Sequence, residues 1–105
     1  RGRVYCGLRD GSVACLSPKG ERLWSAPPCG LELDLPLAPI VRRDVLVAAG
    51  DPIRALDPQT GRVLATLPPT QGLSAFAVGR GLDVYAVDDD GVAARFDLAT
   101  HLSVV

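Results

Sequence analysis

The stretch Leu56–Leu64 reads L-D-P-Q-T-G-R-V-L, which is a strand end, a tight turn and a strand start. Asp57 can accept hydrogen bonds from the backbone two residues on, and Pro58 presets φ for the first turn position. Gly61 can take the positive φ that closes such a turn at no steric cost. The unit recurs. Leu16–Trp24, L-S-P-K-G-E-R-L-W, is a copy one residue shorter, and Phe96–Leu102, F-D-L-A-T-H-L, is a degraded copy. Upstream of each turn lies the same partner: Val4–Leu16, Val45–Leu56 and Val84–Phe96. The first residues of these segments are 41 and 39 residues apart.

A period near forty residues, built from short strands, is the signature of a radial repeat such as a β-propeller. Strands such as V-Y-C-G-L and V-L-V-A-A are apolar on both faces, as strands sandwiched between neighbouring blades must be. Helix has little place: 11 Gly and 9 Pro interrupt every window of helical period. The expected fold is all-β, a propeller segment of about three four-stranded antiparallel blades within a ring of about seven or eight. Residues 1–35 form a blade without its first strand plus a connector, 36–72 a second blade and 73–105 a third.

The expected strands of the first blade are Val4–Leu8, Val13–Leu16 and Arg22–Ser25. Leu37–Val41, Asp44–Ala49, Ile53–Leu56 and Val63–Leu67 make the second. Ser74–Val78, Val84–Val87, Val92–Phe96 and Leu102–Val105 make the third. Within 27–37, Leu31, Leu33 and Leu35 alternate with Glu32 and Asp34, as in an extra edge strand or a surface connector. Asp10-Gly11 reads as a two-residue type I′ hairpin loop. That register places Leu8 opposite Val13 and Cys6 opposite Cys15.

The repeat resembles the PQQ-like repeat of quinoprotein alcohol dehydrogenases and of non-catalytic propellers such as the outer-membrane assembly lipoprotein. Its motif runs roughly V-Y-V-G-x-x-D-G-x-L-Y-A-L-D-x-x-T-G-x-x-x-W. The first copy matches at Val4, Tyr5, Gly7, Asp10, Gly11, Val13, Leu16, Gly20 and Trp24. The second matches at Val45, Ala55, Leu56, Asp57, Thr60 and Gly61, and the third at Val84, Tyr85, Asp90, Gly91, Asp97 and Thr100. The tryptophan that packs between blades in the family is present only as Trp24. Ala65 takes its place in copy two, copy three has no indole, and His101 replaces the last glycine. Packing around copies two and three should be looser, or completed by other residues.

The resemblance implies a quinone stacked on tryptophan beside a calcium ion only in the catalytic branch, and nothing here carries that set. Asn is absent, Trp24 sits at the docking position, and no residue matches the catalytic Asp. No cofactor and no metal are expected. Asp88-Asp89-Asp90 lacks the alternating ligands of a calcium loop and reads as a solvated hairpin tip. Cys6, Cys15 and Cys29 have no zinc spacing. Cys6 and Cys15 read as small buried thiols, with a strained cross-strand disulfide as the alternative. His101, at a turn position, has no acid–base partner set.

The chain is 48% apolar with a formal net charge of −1, a globular composition without the basic footprint of a nucleic-acid binder. No apolar run is long enough to span a bilayer. Arg42, Arg43, Arg54, Arg62, Arg80 and Arg95 read as scattered solubilising residues. Arg42, Arg43 and Arg80, at equivalent turns, could form a rim that meets an acidic protein partner. Trp24, Asp57, Gly61, Gly11, Gly20, Asp90, Gly91 and Asp97 are expected to serve the repeat itself.

The functional expectation is a non-catalytic scaffold or protein-interaction platform. The alternatives are a piece of a quinoprotein oxidoreductase whose site lies on other blades, and an accessory or sensor domain fused to an enzyme. Arg1 and the absent first strand suggest a cut inside a longer chain, so the expected partners are further blades or copies of itself. The resemblance implies an extracytoplasmic location, and the odd cysteine count argues weakly against it.

Overall fold

Runs of Val, Leu, Ala and Tyr between Gly- and Asp-bearing turns close into three antiparallel sheets. A computed structural model describes residues 2–8, 11–27, 38–50, 52–68 and 73–102, with backbone alone at 101 and 102. The first sheet holds β1 (Val4–Gly7), β2 (Val13–Leu16) and β3 (Arg22–Ala26). The second holds β4 (Ile40–Arg42), β5 (Val45–Ala48), β6 (Arg54–Leu56) and β7 (Val63–Thr66). The third holds β8 (Leu73–Val78), β9 (Asp83–Asp88) and β10 (Ala93–Asp97), followed by a short helix α1 (Leu98–Leu102). In every sheet, strands adjacent in sequence are adjacent in space.

The sheets stack, and β5 explains why. Its side chains alternate between faces, and all four are buried. Leu46 and Ala48 join Leu56 of β6 against Val13 and Ala26 of the first sheet, with Tyr5 and Trp24 at the edge. Val45 and Val47 join Ile53, Ala55 and Leu67 against Val78, Leu82, Val84, Ala86 and Leu98 of the third. Each fully buried Val or Leu contributes about 1.5–3 kcal/mol, so the middle sheet is held by its two neighbours. This stacking of short antiparallel sheets is a segment of a β-propeller.

The turns differ from expectation in an ordered way. Leu8 N donates to Ser12 O and Gly11 N to Leu8 O, so three residues separate the paired ends rather than two. The same pair of bonds closes 17–21, 79–83 and 88–92. The last loop residue has a positive φ in each: Gly11 (89°), Gly20 (87°), Leu82 (64°) and Gly91 (82°). This is the three-residue hairpin, a turn completed by a left-handed residue. The extra residue moves the register by one. Cys6 pairs with Ala14 and Tyr5 with Cys15, so the two thiols lie on opposite faces and both are free. The loop with two positive-φ central residues is instead Arg43 (51°) and Asp44 (61°), between β4 and β5.

Pairing also corrects the alignment of the copies. Val4 lies opposite Leu16 and Val84 opposite Phe96, and in the middle sheet Leu46, not Val45, lies opposite Leu56. The connection between β5 and β6 is shorter than in the other copies, which hides the one-residue offset.

The expected first strand of the second blade begins later, at Ile40. At the end of the chain a helix replaces the expected turn, and Leu102 closes that helix rather than opening a strand. Positions 103–105 of the expected last strand, and 28–37 of the connector, lie outside the described residues.

Candidate functional site

Trp24 lies on β3 opposite Cys15, and Tyr5 lies on β1 opposite the same residue. Both therefore project from one face of the first sheet, toward the second. Their rings are 6.1 Å apart between centroids and tilted by 41°. Three donors from this sheet converge on one acceptor, the carbonyl of Pro58 in the β6–β7 turn. Trp24 Nε1 donates at 3.1 Å, Tyr5 OH at 3.3 Å and Arg3 at 3.2 Å. The same Arg3 nitrogen also donates to the carbonyl of Gln59 at 3.2 Å.

The turn is shaped to be received. Asp57 Oδ1 accepts from Gln59 N, two residues on, at 2.8 Å, and Gly61 N donates to Asp57 O. Gly61 has φ +80° and lies flat against the Trp24 ring. Asp57 and Gly61 thus build the turn, and Trp24 grips it. Gly2, Arg3, Tyr5, Val41, Pro58 and Gln59 border a shallow groove beside this contact.

A second polar link joins the same two sheets. Arg54 on β6 is buried, at 3% exposure. It donates to the carbonyls of Gly11 and Pro27, each at 2.9 Å, so it ties the β1–β2 turn and the residue after β3, at one end of the first sheet, to the middle sheet. Its Nε is buried without a hydrogen-bond partner among the described residues. The sequence groups Arg54 with the scattered solubilising arginines; its burial corrects that expectation. The signal was its place beside Ile53, Ala55 and Leu56, inside an otherwise apolar strand.

The second and third sheets meet differently. The positions equivalent to Tyr5, Cys15 and Trp24 are Val47, Ala55 and Ala65 by pairing. These small residues leave room for α1, which lies on β7 with Leu98 fully buried. Leu98 N donates to Leu82 O at 3.0 Å. Packing is completed by an aliphatic plug in place of the indole.

On the outer face of the third sheet, Tyr85 OH donates to Asp83 Oδ2 at 2.8 Å, and Arg95 Nε lies 3.8 Å from the same oxygen. The Tyr85 hydrogen bond, with backbone donors and Arg95, holds the Asp83 carboxyl below its ordinary range. Tyr85 and Asp83 in turn raise Arg95.

Arg42 ends β4 and donates to Val41 O, Arg43 sits in the β4–β5 turn, and Arg80 sits in the β8–β9 turn. All three are exposed. Antiparallel order puts these turns at the same end of the stack as the turns at 17–21 and 57–62. Asp88 Oδ1 accepts from Asp90 N and Val92 N, both at 2.9 Å, so this carboxylate is occupied in shaping its own hairpin. Gly91 closes that hairpin. Asp97 Oδ2 accepts from Thr100 Oγ1 across the first turn of α1. Among the described residues, no group of three or more His, Cys, Asp or Glu is placed to hold a metal ion. No described helix is long and apolar enough to cross a membrane.

No family model matches the sequence. No curated protein matches it either. Solved structures do. The computationally designed Ika8 protein is 19% identical over 96% of this chain and 32% of its own, with a TM-score of 0.76. The computationally designed Ika4 protein is 19% identical over 92% of this chain and 61% of its own, with a TM-score of 0.75. BamB from Moraxella catarrhalis, a β-propeller protein, is 20% identical over 90% of this chain and 29% of its own, with a TM-score of 0.70. The chain thus spans 29% to 61% of the length of these three structures. At such identity the likeness concerns the fold, a β-propeller.

Proposed function

We propose that this chain is a non-catalytic propeller segment that serves as a scaffold and protein-interaction platform. One observation carries the reading. The polar side chains held in fixed geometry between blades, Arg3, Tyr5, Trp24 and Arg54, spend their donors on backbone carbonyls of the neighbouring sheet. Trp24 is therefore engaged in docking rather than offered as a stacking surface for a quinone. The groups left outward at one end include Arg42, Arg43 and Arg80, a rim suited to an acidic segment of a protein partner. The segment is built from PQQ-like repeats, with blades at 1–35, 36–72 and 73–105, a reading supported by the motif residues of the three copies. An extracytoplasmic location accompanies it.

The test is titration with a labelled poly-Glu peptide at physiological ionic strength. Binding is expected that rises at low salt and falls when Arg42, Arg43 and Arg80 are together changed to Glu. Equal binding by that variant, or saturable binding of a quinone with calcium, would overturn the reading.

A further inference from the structure

We propose that Arg43 is the principal contact for the acidic segment of a protein partner, and that Asp44 directs that segment toward Arg80. The inference rests on the proposed interaction platform and names the residues that give it specificity. The observation behind it is a strained turn. The β4–β5 loop needs two left-handed residues, and Asn-Gly meets that need at little cost. Here the pair is Arg43 (φ 51°) and Asp44 (φ 61°). A residue with a Cβ in that conformation crowds its own backbone, and a long side chain such as arginine is seldom found there.

Among the described residues, nothing offsets that strain. The three-residue hairpins put glycine at the left-handed place, as at Gly11, Gly20 and Gly91, or bury the residue that stands there, as Leu82 is buried. Arg43 and Asp44 are both exposed. Among the described residues, neither side chain has a hydrogen bond or ion pair that would hold the turn. Strain kept at an exposed loop tip without a compensating contact points to a demand from outside the chain.

The surroundings identify the demand. β4 and β8 are in contact, and each runs into a turn at the same end of the stack that carries an arginine, Arg43 in one and Arg80 in the other. Both turns join strands of a single sheet, so sheets packed on either face leave their tips open. Two outward guanidiniums at the ends of neighbouring strands suit a pair of carboxylates. On its other side Asp44 borders the groove it shares with Arg3, Tyr5, Pro58 and Gln59. Its carboxylate repels an acidic segment from that groove, and Arg3 there is already bonded to the Pro58 and Gln59 carbonyls. The favoured course is therefore from Arg43 to Arg80.

The test pairs binding of a labelled poly-Glu peptide with thermal melts of the 105-residue chain and its variants. Arg43→Asn and Asp44→Gly each relieve the turn, and each should raise the melting temperature by about 4 °C. Their effects on affinity should be opposite: Arg43→Asn weakens binding about fivefold, and Asp44→Gly strengthens it about twofold. A change of turn geometry alone would move both affinities the same way. Melting temperatures that do not rise, equal binding by Arg43→Asn, or binding by Asp44→Gly no tighter than that of the native chain overturns the inference. If the Arg42, Arg43 and Arg80 triple Glu variant still loses binding in that case, the platform reading stands without it. No binding by the native chain overturns both.

Discussion

Gly61 in the β6–β7 turn and Trp24 on β3 fit face to face with no room for a methyl group: a Cβ on Gly61 would sit 2.8 Å from Trp24 Cδ2 and Cζ3. The absence of a side chain in one blade is thus what admits the indole of the one before it. The same glycine carries a positive φ, so two separate demands fall on one residue.

Gly61→Ala should therefore cost more than Gly20→Ala. Both lose a left-handed glycine, worth roughly 1–2 kcal/mol. Gly20 has nothing within 4 Å of where a Cβ would lie, whereas Gly61 also overpacks Trp24. We expect a further loss of about 1–3 kcal/mol at Gly61. Urea denaturation of the two variants gives the difference directly.

Removing the indole should loosen the same contact from the other side. Trp24→Ala leaves a gap over Gly61 and takes one of three donors from the Pro58 carbonyl. The expected loss is about 2–4 kcal/mol, since Trp24 is half-buried. Tyr5→Phe keeps the ring and removes one hydrogen bond, for about 0.5–1.5 kcal/mol. Emission from Trp24, the single tryptophan, reports Tyr5→Phe without a new probe.

Arg54 tests the second link. Arg54→Ala strands the carbonyls of Gly11 and Pro27 and opens space beside Leu56, at an expected cost of about 2–4 kcal/mol. Arg54→Lys should recover little of it, because one ammonium cannot reproduce the two-pronged guanidinium contact. Chemical denaturation of both variants checks the order.

Acid should act on the outer face of the third sheet. The folded carboxyl of Asp83 is held below its ordinary range, first by the Tyr85 hydroxyl. A depressed folded value stabilises above the unfolded carboxylate range and loses that contribution as pH falls through the folded value. Asp83→Asn should therefore flatten the decline in stability from about pH 5 downward, the variant being less stable than wild type near neutrality and converging with it in acid. Thermal melts of wild type and variant across that range measure it.

The strands were legible because each repeat carries the same alternation and the same turn residues. The register was not. Asp10-Gly11 and Asp90-Gly91 suit a two-residue loop, but Gly91 is the left-handed last member of a three-residue loop, and Gly11 takes the same φ. One residue of slip turned Cys6 and Cys15 to opposite faces. Leu82 occupies the same left-handed place without being glycine, held there by burial and by its bond to Leu98 N. Local propensity gives no sign of that. Helix α1 was hidden as well: Asp97 and Thr100 read equally as turn residues and as the two ends of a first helical turn. Trp24 was recognisable as a packing residue, yet its partner, the Pro58 carbonyl, is a backbone group about which side-chain identity says nothing.

The first two sheets are adjacent blades joined through the Trp24–Gly61 contact. The most direct measurement is a nuclear Overhauser spectrum of the chain with labelled glycine. Strong cross-peaks are predicted between the Gly61 α-protons and the Trp24 Hε3 and Hζ3 protons. Their absence, in a spectrum that keeps the cross-strand peaks within each sheet, would contradict it.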